Sequence, residues 1–459
     1  MRRSSFPLKS LAVAALCVCI AFTAMPPSVF GQKKTAPIEA TPLPLRDEFK
    51  LGKVDLELLE QVDLLDRRFD REGMVLEDSA TSAYVARIGA ILVQKELVLE
   101  GVTWKFRILR DPQPNAFALP NGSVYVSTGL LALLENESQL AAVLAHELTH
   151  VMRRHQYVLN RSNRKKYLTM NVMAAVGAYA PGGVAGALIY IASTVAPFVV
   201  LATMFGYSRD LEREADHRAI DMMISAEYPP EEEIAVLKLL SKDIEGEQIS
   251  LFYNDHPALD ERIKYLSSYL GTRAEKVTPQ MALNREKKVY FRQMEPLMQH
   301  NVELAINAGR YRSSVYFAQR LVEFHPESSE NVFLAGEAYR TLGPRPPELS
   351  SEALTNSAKK NLAKKREKQT VEEEERDLLA TPQGAQNWRA HQQKAETYYL
   401  SALSMDDPVP AAHRGLGMLY EKLGRTSEAL VQYEKYVELA PAAFDRERIQ
   451  KRIEALRKI

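Results

Sequence analysis

Two histidines one helical turn apart place the strongest constraint on how this chain folds. His146 and His150 lie in a segment whose apolar residues recur three and four positions apart, as in an α-helix. These apolar residues are Leu140, Val143, Leu144, Leu148 and Val151. Four residues are about one turn, so both imidazoles project from one side of the helix and can bind one metal ion. Glu147 is then placed to act as a general base on a water molecule at that metal.

A second segment supplies the remaining ligand of this predicted site. Residues 207–216 begin another predicted helix, in which Glu212 and Asp216 are one turn apart. Glu212 is expected to complete a His/His/Glu zinc site, and Asp216 to accept a hydrogen bond from a zinc-bound imidazole. The alternative register has Glu214 as the ligand. His155 lies off the metal-facing turn and is expected to be structural.

The cysteine count restricts the ligands further. Cys17 and Cys19 are the only cysteines, and both lie in a short apolar run, residues 11–25, that follows three basic residues. This pattern predicts a secretory signal peptide over residues 1–31, cleaved near Gly31; an uncleaved anchor is the alternative, and lipidation of a cysteine fits the residues poorly. The mature chain would then contain no cysteine, so it would have neither disulfides nor zinc thiolates.

The pattern along the chain predicts a mainly α protein with two folded parts. Residues 32–75 are predicted as a linker and an N-terminal helix, and residues 76–275 as an α+β peptidase domain with a small β-sheet. A linker over 276–294 leads to an α-helical repeat region over 295–459. The formal net charge is zero, which gives no support for nucleic-acid binding.

Residues 168–205 form an apolar segment inside the predicted peptidase domain. No charged residue occurs between Lys166 and Arg209, and the segment is divided at residues 181–183, Pro-Gly-Gly. Two interpretations remain open, namely a buried helical hairpin and a hairpin that inserts into or touches a membrane.

The C-terminal third contains a repeated spacing of Gly, Tyr and Gly. The two triplets are Gly336/Tyr339/Gly343 and Gly417/Tyr420/Gly424. This spacing predicts about three tetratricopeptide (TPR) repeats stacked as a solenoid, followed by a capping helix; a plain helical bundle is the alternative. Residues 344–390 are rich in proline and charge and are predicted to be a solvated insertion, either a charged helix or disordered.

The metal motifs resemble a known family. An HExxH motif followed by Glu-x-x-Ala-Asp, with an apolar hairpin between them, resembles the gluzincin peptidases that include HtpX and the CAAX prenyl endopeptidases. Residues 115–122 and 140–145 also resemble this family, and the match covers about 80–270. With a signal peptide and TPR repeats, the whole chain is similar to the periplasmic β-barrel assembly-enhancing members. The resemblance implies an exported zinc endopeptidase, periplasmic or membrane-associated.

The resemblance also implies a regulatory ligand. In the β-barrel assembly-enhancing group, a His-Pro-x-x-x-x-Arg-Ile segment can occupy the open zinc position, and residues 256–263 match it here. His256 is therefore a predicted switch ligand. The alternative is a loop histidine that caps the helix starting near Ala258.

Three functions are compatible with these patterns. The first is a zinc endopeptidase that cleaves misfolded or misassembled envelope proteins, with the TPR region binding clients, outer-membrane assembly machinery or both, near a membrane surface. Asn115, Ala116, Phe117 and Ala118 are predicted to bind extended substrate by β-addition. The second is a TPR chaperone or adaptor with little proteolysis. The third, ranked last, is an integral membrane peptidase for lipidated substrates. Retention of Glu147 favours catalysis.

Overall fold

The computed structural model describes residues 49–77, 79–93, 99–161, 207–241, 259–271, 278–348 and 370–458. Several predicted features lie wholly or partly outside the described residues: the signal peptide, the linker up to residue 48, the hairpin 168–205, His256 and the central part of the insertion 344–390. Among the described residues, no helix is both long and apolar enough to cross a membrane.

The N-terminal half combines helices with a small sheet. Its first elements are α1 (Lys53–Arg71), α2 (Ser79–Val93), β1 (Lys105–Leu109), β2 (Ala116–Ala118), β3 (Ser123–Ser127), α3 (Thr128–Leu133) and α4 (Glu137–Met152). The second group is α5 (Arg209–Ser225), α6 (Glu232–Leu240) and α7 (Leu259–Gly271). The predicted mainly α class is confirmed.

The sheet has the order β1-β3-β2. β1 runs parallel to β3, and β2 runs antiparallel to it with Phe117 opposite Tyr125. β3 is the central strand, and all five of its residues are buried. The turn between β2 and β3 requires a glycine, because Gly122 has a φ of 93° and a Cβ atom there would lie 2.7 Å from the Thr103 carbonyl oxygen.

α4 is the central helix of this half. The Asn136 side chain caps its start by accepting a hydrogen bond from the Gln139 amide, and residues 138–151 are all buried. The helix packs against α2, α5, α6 and the strands β2 and β3. A helix buried on every side is held by its neighbours rather than by one apolar stripe, so the positions of its polar side chains are fixed from all directions.

The C-terminal half is entirely helical where the structure describes it. Its elements are α8 (Pro279–Leu283), α9 (Lys287–Asn307), α10 (Tyr311–Phe324), α11 (Ser329–Leu342), α12 (Val371–Leu379), α13 (Pro382–Leu403), α14 (Ala411–Lys422), α15 (Thr426–Leu439) and α16 (Arg446–Leu456). From α9 to α11 and from α13 to α16, each helix packs on the next, and α11 packs on α13.

Small residues lie where these helices approach one another. Gly336 of α11 and Gly415 of α14 both face the ring of Tyr399, and Gly417 faces the ring of Tyr433. A Cβ atom at any of the three glycines would come within 2.7 Å of an aromatic carbon. This arrangement is what the repeat interpretation requires, although that interpretation itself stays a prediction.

Two segments differ from the sequence-based expectations. The predicted linker 276–294 contains α8 and the start of α9, where Tyr290 is buried and donates its hydroxyl to the Leu131 carbonyl oxygen of the first half. In the predicted insertion, α12 is a charged helix with no buried residue, which is one of the two forms that the sequence allowed, but the insertion ends before residue 390 because α13 begins at Pro382. Thr370 and Glu373 cap α12 reciprocally, which explains a helix in so polar a sequence.

Candidate metal centre

Three donor side chains converge between α4 and α5. The Nε2 atoms of His146 and His150 are 3.1 Å apart, and each lies 3.6 Å from an oxygen of Glu212. Zinc bonds of about 2.0–2.1 Å place tetrahedral ligand atoms about 3.3 Å from one another, so this spacing fits one zinc ion. All three side chains are at most 3% exposed. The structure therefore brings together the residues that the sequence predicted as ligands, in a group that could hold a metal.

The helices fix these donors by ordinary local rules. Ser208 caps the start of α5 by accepting a hydrogen bond from the Leu211 amide, so Glu212 lies in the first turn. α5 packs along α4, which turns Glu212 toward the histidines. The ring of Tyr207, just before this cap, stacks on the ring of His150 with centroids 3.6 Å apart. This stacking holds the His150 ring in one plane.

Asp216 supports His146 from behind. Its Oδ1 atom lies 2.9 Å from His146 Nδ1, which is the contact expected from the sequence. Asp216 also accepts hydrogen bonds from Arg262 Nη2 at 2.5 Å and from the Tyr265 hydroxyl. Burial acts to raise the pKa of Asp216, but the Arg262 guanidinium and His146 outweigh it and hold the pKa well below the usual range. The side chain is therefore an ionised hydrogen-bond acceptor.

Arg262 is a buried residue of the site whose contacts the sequence did not reveal. It is 2% exposed and lies within 3.2 Å of Glu212, 2.5 Å of Asp216 and 3.8 Å of Glu233. Despite burial, these carboxylates raise the pKa of Arg262, which keeps it charged. In the sequence, Arg262 was noted only as part of the segment 256–263, and no neighbouring residue indicated that its side chain is buried.

Glu147 faces a small cavity at the metal group. It is 1% exposed, and the cavity is also lined by Val143, His146, Glu233 and Arg262. Burial, followed by the neighbouring Asp216 carboxylate, raises the pKa of Glu233 to about 8. Glu233 was missed by sequence reasoning because three consecutive glutamates at 231–233 look like an ordinary helix start.

Glu214, the alternative ligand, lies apart from the three converging donors. Its carboxylate accepts a hydrogen bond from Arg153 Nε at 2.6 Å and lies 3.4 Å from His155 Nε2. The hydrogen bond with His155 contributes most to lowering the pKa of Glu214 to about 2, and the charge of Arg153 adds to it. His155 is likewise not one of the converging donors, but it contacts His150 directly.

The predicted substrate segment, Asn115 to Ala118, includes edge strand β2. Asn115 and Leu119 direct backbone groups toward β3, so those of Ala116 and Ala118 point away from β3. Gln156 Nε2 lies 3.4 Å from the Ala118 carbonyl oxygen on that side. Because β2 packs against α4, this edge lies beside the helix that carries the histidines.

Sequence similarity to known metallopeptidases supports the assignment of this site as a metal centre. Residues 79–270 match peptidase family M48, a stretch that contains all three converging donors and Glu147. Over this stretch the chain is similar to M48 peptidases, and the match together with the converging donors supports a zinc metallopeptidase. The M48 match covers less than half of the chain and does not include the C-terminal helices after 270.

Individual relatives extend the comparison. The chain is 26% identical to mitochondrial metalloendopeptidase OMA1 of Schizosaccharomyces pombe over 270 residues, which is 57% of this chain and 73% of the relative. It is 28% identical to a putative beta-barrel assembly-enhancing protease of Vibrio cholerae over 49% of this chain and 44% of the relative. Metalloprotease LoiP of Escherichia coli is 27% identical over 41% of this chain and 71% of the relative. Some relatives are thus spanned over less than half their length.

Proposed function

We propose that this protein is a zinc endopeptidase of the cell envelope that cleaves misfolded or misassembled proteins, with His146, His150 and Glu212 as the zinc ligands. The observation that carries the proposal is the convergence of three buried donor atoms at zinc spacing beside the buried carboxylate of Glu147. Two neutral imidazoles and one carboxylate leave a fourth position open, as catalytic zinc sites require.

Each residue around the metal group has a separate role in the proposed hydrolysis. A bound zinc ion supplies a water of pKa about 7 and polarises the substrate carbonyl. Glu147 takes the proton from the attacking water and delivers it to the leaving amine. Asp216 holds the His146 ring at the angle and tautomer that binding through Nε2 needs. Arg262 offsets the charge of the surrounding carboxylates.

Substrate binding is assigned to the edge of the sheet. An extended peptide can pair with the outward backbone groups of Ala116 and Ala118, which run beside α4. Pairing through the main chain is largely independent of side-chain sequence, which suits unfolded clients of varied sequence. Gln156 holds one of these carbonyl groups in the absence of a peptide and would have to release it.

The C-terminal helices are proposed to recruit clients or an assembly machine through a TPR-like surface. Support comes from the repeated glycine and tyrosine contacts and from the name of the Vibrio cholerae relative, which refers to β-barrel assembly. Export to the periplasm, membrane association of residues 168–205 and inhibition by His256 belong to the same proposal and rest on the sequence resemblance. Activity as a chaperone or adaptor without proteolysis is the competing function.

One pair of variants separates enzyme from adaptor. Glu147→Gln keeps the size of the side chain but removes the base, so mature protein should retain about one zinc and lose cleavage of an unfolded substrate by at least about 100-fold. Glu212→Ala should lose the zinc itself, measured by metal analysis after dialysis. Undiminished cleavage by Glu147→Gln would contradict the mechanism, and full zinc retention by Glu212→Ala would contradict the ligand assignment.

A further inference from the structure

A second histidine stands directly behind one of the proposed ligands. The Nδ1 atoms of His150 and His155 are 2.9 Å apart, and His155 is completely buried. α4 ends at Met152, and Arg154 has a φ of 60°, a left-handed conformation that reverses the chain locally. Residues 155–161 are again helical. This turn folds His155 back against the helix that carries His150.

The protons of this pair follow from which atom faces the metal group. His150 directs Nε2 toward His146 and Glu212, so a zinc ion there takes the Nε2 lone pair and leaves the proton on Nδ1. His150 Nδ1–H must then donate to His155 Nδ1, which is therefore the acceptor. A neutral His155 carries its own proton on Nε2, and that atom lies 3.4 Å from Glu214 Oε2.

Glu214 is itself held in place at the far end. Arg153 Nε donates to Glu214 Oε1 at 2.6 Å, and Arg218 Nε donates to the same oxygen at 3.2 Å. The other oxygen faces His155. The carboxylate thus has a fixed orientation, with one oxygen directed at the His155 ring.

We propose that His155 and Glu214 are positioning residues that fix the ring orientation and tautomer of His150 through a Glu214–His155–His150 relay. The inference rests on the proposed function, because it takes His150 as a zinc ligand. His146 has a carboxylate directly behind it in Asp216, whereas His150 reaches the carboxylate of Glu214 through an intervening imidazole. The relay supplies to the second ligand what Asp216 supplies to the first.

Zinc affinity tests the relay. His155→Leu replaces the imidazole with an apolar side chain of similar bulk that cannot accept a hydrogen bond. The dissociation constant for zinc, measured by competition with a chelator, should therefore rise about 10- to 100-fold. His155→Gln can accept with its oxygen and donate with its nitrogen, so it should restore most of the affinity. Ser225→Ala, at an exposed position at the far end of α5 that contacts no member of the relay, serves as the control, with affinity close to wild type. Unchanged affinity in His155→Leu would overturn the proposal.

The wild-type protein gives a test that does not depend on a variant folding. In zinc-loaded protein labelled with ¹⁵N at histidine, NMR should show His155 protonated at Nε2 alone and His150 protonated at Nδ1. A proton on His155 Nδ1 refutes the relay. The relay and the proposed zinc ligands can fail separately. If the relay is wrong, Glu212→Ala should still lose zinc. If Glu212→Ala retains zinc, the assignment of His146, His150 and Glu212 as ligands is wrong.

Discussion

At the scale of single residues, the metal centre is a cluster of buried carboxylates around one guanidinium. Glu212, Asp216 and Glu233 all lie within 3.8 Å of Arg262. Several buried negative charges repel one another, and the raised pKa of Glu233, about 8, follows from its burial and from Asp216. Burial and the neighbouring carboxylates therefore favour the protonated form of Glu233, and Arg262 balances the ionised carboxylates.

Removal of Arg262 should destabilise the protein strongly. Arg262→Met keeps much of the volume but leaves Asp216 and Glu212 buried without their cation, which typically costs about 3–5 kcal/mol. The measurement is the urea midpoint of the zinc-free protein. Arg209→Met is the control, because Arg209 pairs with Glu261 at an exposed position and should change stability by less than about 1 kcal/mol. Equal midpoints for the two variants would contradict a central role for Arg262.

Residue spacing predicted the metal ligands and the supporting role of Asp216, but not the contacts of Arg262, Glu233 and His155. His146, His150 and Glu212 were found from the sequence because residues one turn apart on a helix share a face, which is a local property. Arg262 lies 46 residues from its partner Asp216, so their contact depends on how α5 and α7 pack. The contact of His155 with His150 depends on a left-handed residue at Arg154, and an arginine gives no sequence signal for that conformation.

At the scale of secondary-structure elements, the C-terminal helices depend on close approach at glycine. Gly336→Ala improves helix propensity by about 1 kcal/mol, but its Cβ would lie 2.7 Å from the Tyr399 ring. Overpacking of this kind costs about 1–3 kcal/mol, so the variant should have a net lower thermal midpoint. Gly271→Ala, at the end of α7, is the matched control and should not be destabilised, because no atom of the described residues lies within 4 Å of the new Cβ. A higher thermal midpoint for Gly336→Ala would show that α11 and α13 are farther apart than the Gly336–Tyr399 contact implies.

The same helix pair contains a titratable contact. Glu337 of α11 is bound by Arg340 at 2.7 Å and by the Tyr399 hydroxyl. Burial acts to raise the pKa of Glu337, but Arg340 and these hydrogen bonds outweigh it and lower the pKa. A depressed folded-state pKa contributes stability above the unfolded pKa of about 4.3, and this contribution is lost as the pH falls through the folded value.

Replacement of Glu337 should therefore matter more at neutral than at acidic pH. Glu337→Gln should lower the free energy of unfolding at pH 7 by about 1.5–3 kcal/mol, the range for a hydrogen bond to a charged group. The difference from wild type should be smaller at pH 3, because the carboxyl of the unfolded chain is then protonated and ionised Glu337 contributes less stability. Urea unfolding at both pH values gives the comparison. If the difference in unfolding free energy between wild type and Glu337→Gln is the same at both pH values, ionised Glu337 does not stabilise the packing of α11 on α13.

At the scale of the whole molecule, hydrogen bonds join the helical half to the peptidase half. They lie close to the start of α4, the helix that carries His146 and His150. Arg320 of α10 is buried and donates to the carbonyl oxygens of Ala132, Leu133 and Leu134 at the end of α3. Those carbonyls have no following turn of α3 to bond to, so the guanidinium from the other half satisfies them. α4 begins only three residues later, at Glu137.

Because Arg320 bonds across the interface, we expect the two halves to stabilise each other. Arg320→Met leaves three buried carbonyls without this donor, and each orphaned group costs about 1–3 kcal/mol. The first effect should appear as faster amide hydrogen exchange in α3 and at the start of α4, far along the chain from the substitution. Arg292→Met, an exposed position on α9, is the control and should leave exchange unchanged. If exchange in Arg320→Met rises only within α10, the two halves are energetically independent, and a client bound to the C-terminal helices could not act on the metal centre through this contact.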